Sequence, residues 1–241
     1  MNAIETRGLT KRYGEKTAVD RLDLTVQQGE LYALLGVNGA GKSTTIKMLS
    51  CLARPTEGDA LLLGDSILTA PEAVKRKINV SPQETAVAPN LTVRENLELI
   101  AGIYGGSRRK EQAAAMLEQL GLEEVAKSRA RILSGGWQRR LSIAMALISE
   151  PEILFLDEPT LGLDVLARRE LWHVIEGLKG RTTVILTTHY LEEAEALAHR
   201  IGIMAAGRLR AVGTPEELKA LAGAHTFEDA FVSLAAGKDV A

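Results

Sequence analysis

Gly36-Val37-Asn38-Gly39-Ala40-Gly41-Lys42-Ser43 fits the spacing G-x-x-x-x-G-K-[ST]. The apolar run Leu31–Leu35 precedes it, and the helical stretch Ser43–Leu52 follows. Glycines let the backbone curl until successive N–H groups point at phosphate oxygens. The helix start adds the positive end of its dipole. Lys42 is placed to reach the β- and γ-phosphates. The Ser43 hydroxyl can ligate Mg²⁺, with Thr44 beside it in the first turn. A glycine-rich turn without a ligand would use similar letters, but the strand before and the helix after favour a triphosphate cradle.

Two further groups could serve the same chemistry. The run Ile153–Leu156 leads straight into Asp157-Glu158-Pro159. Four apolar residues predict a buried central strand. Carboxylates at its C-terminal edge sit where open α/β sheets bind ligands. There Asp157 would hold Mg²⁺ and Glu158 would act as general base on a water. The plainer reading is an Asp-Glu pair capping the loop before a helix at Val165. In Leu133-Ser134-Gly135-Gly136-Trp137-Gln138-Arg139-Arg140, Ser134 reads as the N-cap of a helix opened by Gly135 and Gly136. This is either a second anion site or a capped helix and nothing more. Spacing alone leaves both open.

These residues need elements to hold them. Segments Leu22–Val26, Leu31–Leu35, Ala60–Leu63, Ile153–Leu156, Thr183–Leu186 and Ile201–Met204 read as strands. Helical patterns at Lys42–Leu52, Val165–Leu178 and Leu191–Ala198 lie between several of them. The alternation predicts an α/β fold with a mostly parallel sheet. Short turns such as Gln28-Gly29 predict an antiparallel β layer near the N-terminus. From about Thr85 to Glu150 the periodicity is helical: Val93–Tyr104, Lys110–Leu120 and Gly136–Ile148, punctuated by Gly105-Gly106-Ser107. A helical subdomain (about 85–150) is thus expected inside a domain spanning 1–223. A short C-terminal tail (224–241), with an apolar cluster at Phe227, Phe231 and Leu234, is expected to pack locally or fray.

The chain has 241 residues, which suits one large domain or one domain with a helical insertion. Lys+Arg number 29 against 31 Asp+Glu, a net charge of −2 that argues against non-specific nucleic-acid binding. Aromatics at 4% are too few for a stacking platform along a single strand. The lone cysteine, Cys51, excludes an internal disulfide and is expected as a small buried core residue in a helix. No apolar run approaches the roughly 18 residues of a membrane span. The opening MNAIETRGLTKRYG lacks the apolar core of a secretory leader. A cytosolic chain, or one held at a membrane by another protein, is expected.

With the three motifs in this order, the sequence strongly resembles the nucleotide-binding subunits of ABC transporters, from about Ile4 to Leu221. The resemblance implies a P-loop NTPase core, with Leu133–Trp137 as the LSGGQ-type signature and Asp157-Glu158 ending Walker B. It implies that Tyr13 stacks on adenine and that Gln83, in Val80-Ser81-Pro82-Gln83-Glu84, reaches Mg²⁺ and the attacking water. It places Asp164, in Leu161-Gly162-Leu163-Asp164, in the D-loop, and makes His189 the switch histidine at the γ-phosphate. Taken singly, Tyr13, Gln83 and His189 would be an ordinary surface aromatic, a glutamine without meaning and a hydrogen-bonded loop histidine. The family commonly has glutamine where this chain has Trp137.

The resemblance further implies two copies pairing head to tail, the cradle of one facing Ser134 and Gly136 of the other, with ATP and Mg²⁺ between. A separate integral membrane permease is implied, meeting the region Val87–Asn96. The subunit would then be peripheral, on the cytoplasmic face of the cell membrane, without a nucleic-acid partner. The runs Leu91–Leu97 and Thr188–Glu195 are most similar to exporter-type subunits of the multidrug, antibiotic-resistance and sodium-extrusion group. The alternative is an ATP-driven clamp or an assembly ATPase acting on soluble partners. Neither coiled-coil arms nor a second cradle is present for a clamp.

Overall fold

The structure is a computed structural model that describes residues 1–104 and 108–237. The chain begins with β1 (Asn2–Tyr13), β2 (Lys16–Leu22) and β3 (Thr25–Gln27), then runs through β4 (Leu31–Leu35) into α1 (Lys42–Leu49). Next come β5 (Glu57–Leu62), β6 (Asp65–Ser66), α2 (Pro71–Lys77) and β7 (Ile78–Ser81). Helices α3 (Val93–Ile103), α4 (Arg109–Gln119) and α5 (Gly135–Leu147) follow. The remainder is β8 (Ile153–Asp157), α6 (Val165–Glu176), β9 (Thr183–Thr188), α7 (Leu191–Leu197), β10 (Arg200–Ala205), β11 (Arg208–Gly213), α8 (Pro215–Ala222) and α9 (Phe227–Ala235).

The strands form two sheets. One is antiparallel, in the order β2-β1-β5-β6, with β3 also on β1. The other runs β11-β10-β4-β9-β8-β7 and is parallel from β10 to β7, with β11 antiparallel at one edge. Every residue of β4, β8 and β9 is buried, as expected of strands covered on both faces. Alternate side chains of β8 serve opposite cores. Leu154 and Leu156 join the helical side with α5 and α6, while Ile153 and Phe155 face α1 and the antiparallel sheet. The α/β class, the mostly parallel sheet and the antiparallel layer agree with the sequence reading.

Several local expectations need correction. Leu22–Val26 is not one strand: β2 ends at Leu22 and β3 begins at Thr25. The Thr6 hydroxyl, which donates to Leu22 O and accepts from Leu24 N, replaces the ladder there and turns the chain. The Gln28-Gly29 turn passes from β3 in one sheet to β4 in the other, so it is no hairpin within the antiparallel layer. The expected helix Lys42–Leu52 stops at Leu49. Cys51 lies beyond it in the left-handed region (φ 59°) and is only partly buried against the core, because the chain reverses there. Strands β1, β6, β7 and β11, nearly all of β2, and helices α2, α8 and α9 were not expected from sequence.

Among the described residues no strand lies between Thr85 and Glu150; α3, α4 and α5 fill this region. Helix α3 starts at a capping box, with Thr92 Oγ1 accepting from Glu95 N and Glu95 Oε2 accepting from Thr92 N. Gly105-Gly106-Ser107 lies outside the described residues. The tail packs rather than frays through Leu234: Phe227 and Leu234 of α9 are buried against β10 and α8, with Phe231 packed beside them.

Candidate functional site

The loop between β4 and α1 emerges at the C-terminal ends of the parallel strands, beside the ends of β8 and β9. Glycine is obligatory at two of its positions. A Cβ on Gly36 would collide with the Met204 carbonyl. Gly41 has φ 108° and a Cβ there would sit 2.5 Å from the Ala18 carbonyl. The loop surrounds a cavity of ≈ 460 Å³ lined by residues 38–44 together with Lys16, Ala18, Gln83, Glu158, Leu161 and His189. Lys42 is 5% exposed and its ammonium donates to Gly36 O at 2.7 Å.

Glu158 lines the cavity, and Asp157, outside the lining, ends the strand just before it. Asp157 Oδ1 accepts from Ser43 Oγ at 3.0 Å and from Thr187 Oγ1 at 2.5 Å. Thr187 is on β9, adjacent to β8, so the neighbouring strand orients Asp157. Glu158 follows the strand with φ 50°, and its N–H donates to Thr187. This turn aims its side chain back into the cavity. Glu158 Oε1 is 3.1 Å from Lys42 Nζ, and Oε2 is 2.7 Å from His189 Nδ1. The loop lysine, the Asp157-Glu158 pair and His189 therefore meet in one cluster. Gln83 lines the same cavity.

Tyr13 stands apart from that lining, about half exposed, with the Lys11 ammonium 5.1 Å from its ring centroid. It pairs across the β1–β2 hairpin with Lys16, which does line the cavity. Gly36 and Val37 also lie outside the lining; their carbonyls face Lys42.

The segment Leu133–Trp137, expected as the signature, occupies a different place. Ser134 caps α5, accepting from Trp137 N at 3.5 Å, and Ser134 and Gly135 are exposed. Neither they, Gly136 nor Asp164 lines the cavity. Asp164 instead caps α6, accepting from Leu166 N at 2.9 Å and Ala167 N at 3.0 Å. The two caps are neighbours, since a Cβ on Gly136 would lie 3.1 Å from Ala167 Cβ. Trp137 packs onto the helical-side core with the Arg140 guanidinium 4.6 Å from its ring.

Three buried polar residues were assigned no role in the sequence reading: Thr187 and Arg139, which contact the site, and Glu193 nearby. Arg139 is 4% exposed and donates to Pro82 O, Gln83 O and Glu158 O. Burial lowers its pKa, opposed by the negative charges of Asp157 and Glu193. Glu193, on α7, is fully buried, with Oε1 accepting from Trp172 Nε1 at 3.2 Å. Burial raises its pKa above the ordinary glutamate range.

The family described as ABC transporter matches residues 19–161, well over half of the chain. The chain belongs to the ABC transporter family. It is an ATP-binding subunit of that family and an ATPase, and the shared fold is the ABC cassette. Over 226 residues it is 45% identical to the daunorubicin/doxorubicin resistance ATP-binding protein DrrA of Streptomyces peucetius, covering 92% of this chain and 68% of that protein. It is 42% identical over 218 residues to the Nod factor export ATP-binding protein I of Burkholderia orbicola (strain AU 1054), covering 89% of this chain and 72% of that one. Among solved structures, a dimeric ATP-binding cassette in a post-hydrolysis state bound to ADP and Pi superposes with a TM-score of 0.78. That match is at 28% identity, over 88% of this chain and 98% of the other.

Proposed function

We propose that this ABC ATPase subunit hydrolyses ATP between two head-to-tail copies and drives export through a separate integral membrane permease. The observation that carries the composite site is the separation described above. One chain holds a complete cradle with its carboxylates, while the capped, exposed N-terminus of α5 lies outside the cradle's cavity. A helix start that presents free N–H groups, a hydroxyl and a positive dipole end suits phosphate. A second copy can bring a nucleotide to it. The solved dimeric cassette bound to ADP and Pi supports the same reading.

The donor set fits Mg²⁺. Ser43 Oγ, on the cavity lining, and Asp157 Oδ1 are hard oxygens 3.0 Å apart, and Gln83 lines the same cavity with an amide oxygen to offer. Mg²⁺ favours one or two carboxylates plus phosphate and water over an all-protein cage. Among the described residues no cluster of three or more His, Cys, Asp or Glu side chains competes for that role. When bound, the ion would neutralise phosphate charge.

The chain's own groups divide the remaining work. Backbone N–H groups of residues 38–44 grip the phosphates, and Lys42 offsets charge developing on the γ-phosphate. Glu158 accepts a proton from the attacking water, and His189, fixed by its 2.7 Å contact with Glu158, orients the phosphate end. Tyr13 stacks on the base at the rim. Ser134, Gly135 and Gly136 of the opposite copy close the site, with Asp164 beside them. ATP thus favours the closed pair and hydrolysis releases it, a population shift set by differential affinity.

The export direction and the permease rest on the names of the relatives, a drug-resistance protein and a Nod factor exporter. Among the described residues no helix is long and apolar enough to cross a membrane. A peripheral place on the cytoplasmic face, with the permease at residues 87–96, suits this reading. The test is ATP-dependent dimerisation of Glu158→Gln, measured by light scattering, alongside its hydrolysis rate. The variant is expected to bind ATP and pair while turnover falls by at least about 100-fold. A strictly monomeric variant, or full turnover, would overturn the composite site or the general-base role respectively.

A further inference from the structure

Arg139 is the feature that the proposed roles leave unused. Its guanidinium is buried, yet its hydrogen bonds go to carbonyls rather than to a carboxylate. Nη1 donates to Pro82 O at 2.6 Å, and Nη2 donates to Gln83 O at 2.6 Å and Glu158 O at 3.3 Å. Burying a cation is costly unless its donors are satisfied, so a side chain held this way answers a specific need. The need is geometric. A planar fork can address two separate loops at once, which a single ammonium cannot. One loop follows β7 and carries Gln83; the other follows β8 and carries Glu158.

Helix α5 is fastened to the first loop a second time. One turn beyond Arg139, on the same face, Ser142 Oγ lies 3.0 Å from Ser81 Oγ, and both are buried. The exposed end of the same helix is the Ser134 cap. Helix α5 therefore has its N-terminus on the surface offered to a second copy and its flank bolted to the two loops of its own cradle.

Resting on the composite site proposed above, we infer that Arg139 is a positioning residue that carries engagement of α5 by the partner's nucleotide to Gln83 and Glu158 of its own chain. It touches neither nucleotide nor the reacting atoms. It fixes the carbonyls flanking Gln83 and Glu158, so both loops move with α5. Grip and hydrolysis are then linked within each subunit, and the two sites of a dimer become interdependent.

The test uses Arg139→Lys, which keeps the charge and the stem, with Arg139→Gln as the stronger variant. Misplacing catalytic groups by about 1 Å costs up to roughly 100-fold in rate. Partial loosening in Arg139→Lys should lower kcat about tenfold, with KM held within about threefold. The melting temperature should stay close to wild type. In a Glu158→Gln background, Arg139→Lys should still pair on ATP, at nucleotide concentrations within about threefold of the single variant. Arg139→Gln should lower kcat further with the same split.

Wild-type kcat in Arg139→Lys would overturn the inference. So would a fall of nucleotide affinity and dimerisation in step with kcat, because that is the signature of a role in folding alone. If wild type itself failed to hydrolyse ATP, or Glu158→Gln failed to pair, the composite site would fall first and this inference with it.

Discussion

The ammonium of Lys42 stands 3.1 Å from Glu158 Oε1, with each side chain about one-twentieth exposed. The proposed phosphate-binding cation and the proposed general base are thus a contact pair at the cavity. Lys42→Ala removes the phosphate charge clamp and leaves Glu158 buried with only His189 beside it. Turnover should fall by about 100–1,000-fold. Stability should fall as well, because a buried charge has lost a partner. Phosphate release and thermal unfolding check the two effects separately.

His189 holds Glu158 from the other side, at 2.7 Å to Oε2. His189→Ala should cut kcat by about 10–100-fold while nucleotide affinity changes little, because the cradle contacts are intact. Single-turnover hydrolysis and equilibrium binding of a fluorescent nucleotide distinguish the two quantities. A large loss of affinity would instead make His189 a binding group.

Glu193 sets a pH-dependent term in stability. Burial raises its pKa in the folded state above the value in the unfolded chain, so folding favours the protonated form. Its contribution is full below the ordinary glutamate range, about pH 4, and is lost as pH rises through the raised folded value. Glu193→Gln stays neutral and can still accept from Trp172 Nε1. The variant should match wild type near pH 4–5 and gain stability over it by pH 8. A melting-temperature series across that range checks the sign. An equal offset at every pH would contradict it.

At the start of α3, Thr92 and Glu95 satisfy each other's backbone N–H groups. Thr92→Ala should lower unfolding free energy by about 1 kcal/mol, the usual cost of losing an N-cap, with the isolated subunit's ATPase rate unchanged. Urea unfolding measures it.

The cradle was legible in sequence because backbone geometry demands specific residue types there. A Cβ at Gly36 or Gly41 is sterically impossible, so the spacing must be written in the letters. Strands β4, β8 and β9 were legible because both faces are buried, leaving continuous apolar runs. Strand β1 was not, because Gly8 (φ 59°) and register shifts at Leu9–Arg12 break its alternation. Strand β7 is only Ile78–Ser81, too short to stand out. Arg139 looked no different from Arg140. Which of them turns inward depends on how α5 sits over β7 and β8, a long-range fact that local pattern does not encode. The Leu22–Val26 expectation failed for the same reason, since Thr6 is distant in sequence from the corner it holds.

The central claim is that each hydrolytic site is shared between two chains. The most direct measurement mixes Lys42→Ala with Ser134→Arg, each inactive alone, and follows ATP hydrolysis. In a mixed pair, one site combines both lesions. The other joins the intact cradle of the Ser134→Arg chain to the intact signature of the Lys42→Ala chain. Activity should reappear on mixing and scale with the fraction of mixed dimers, at a rate below that of one wild-type site because α5 of the Ser134→Arg chain is left unengaged. Silence at every ratio, with mixed dimers verified to form, would contradict a site built from two copies.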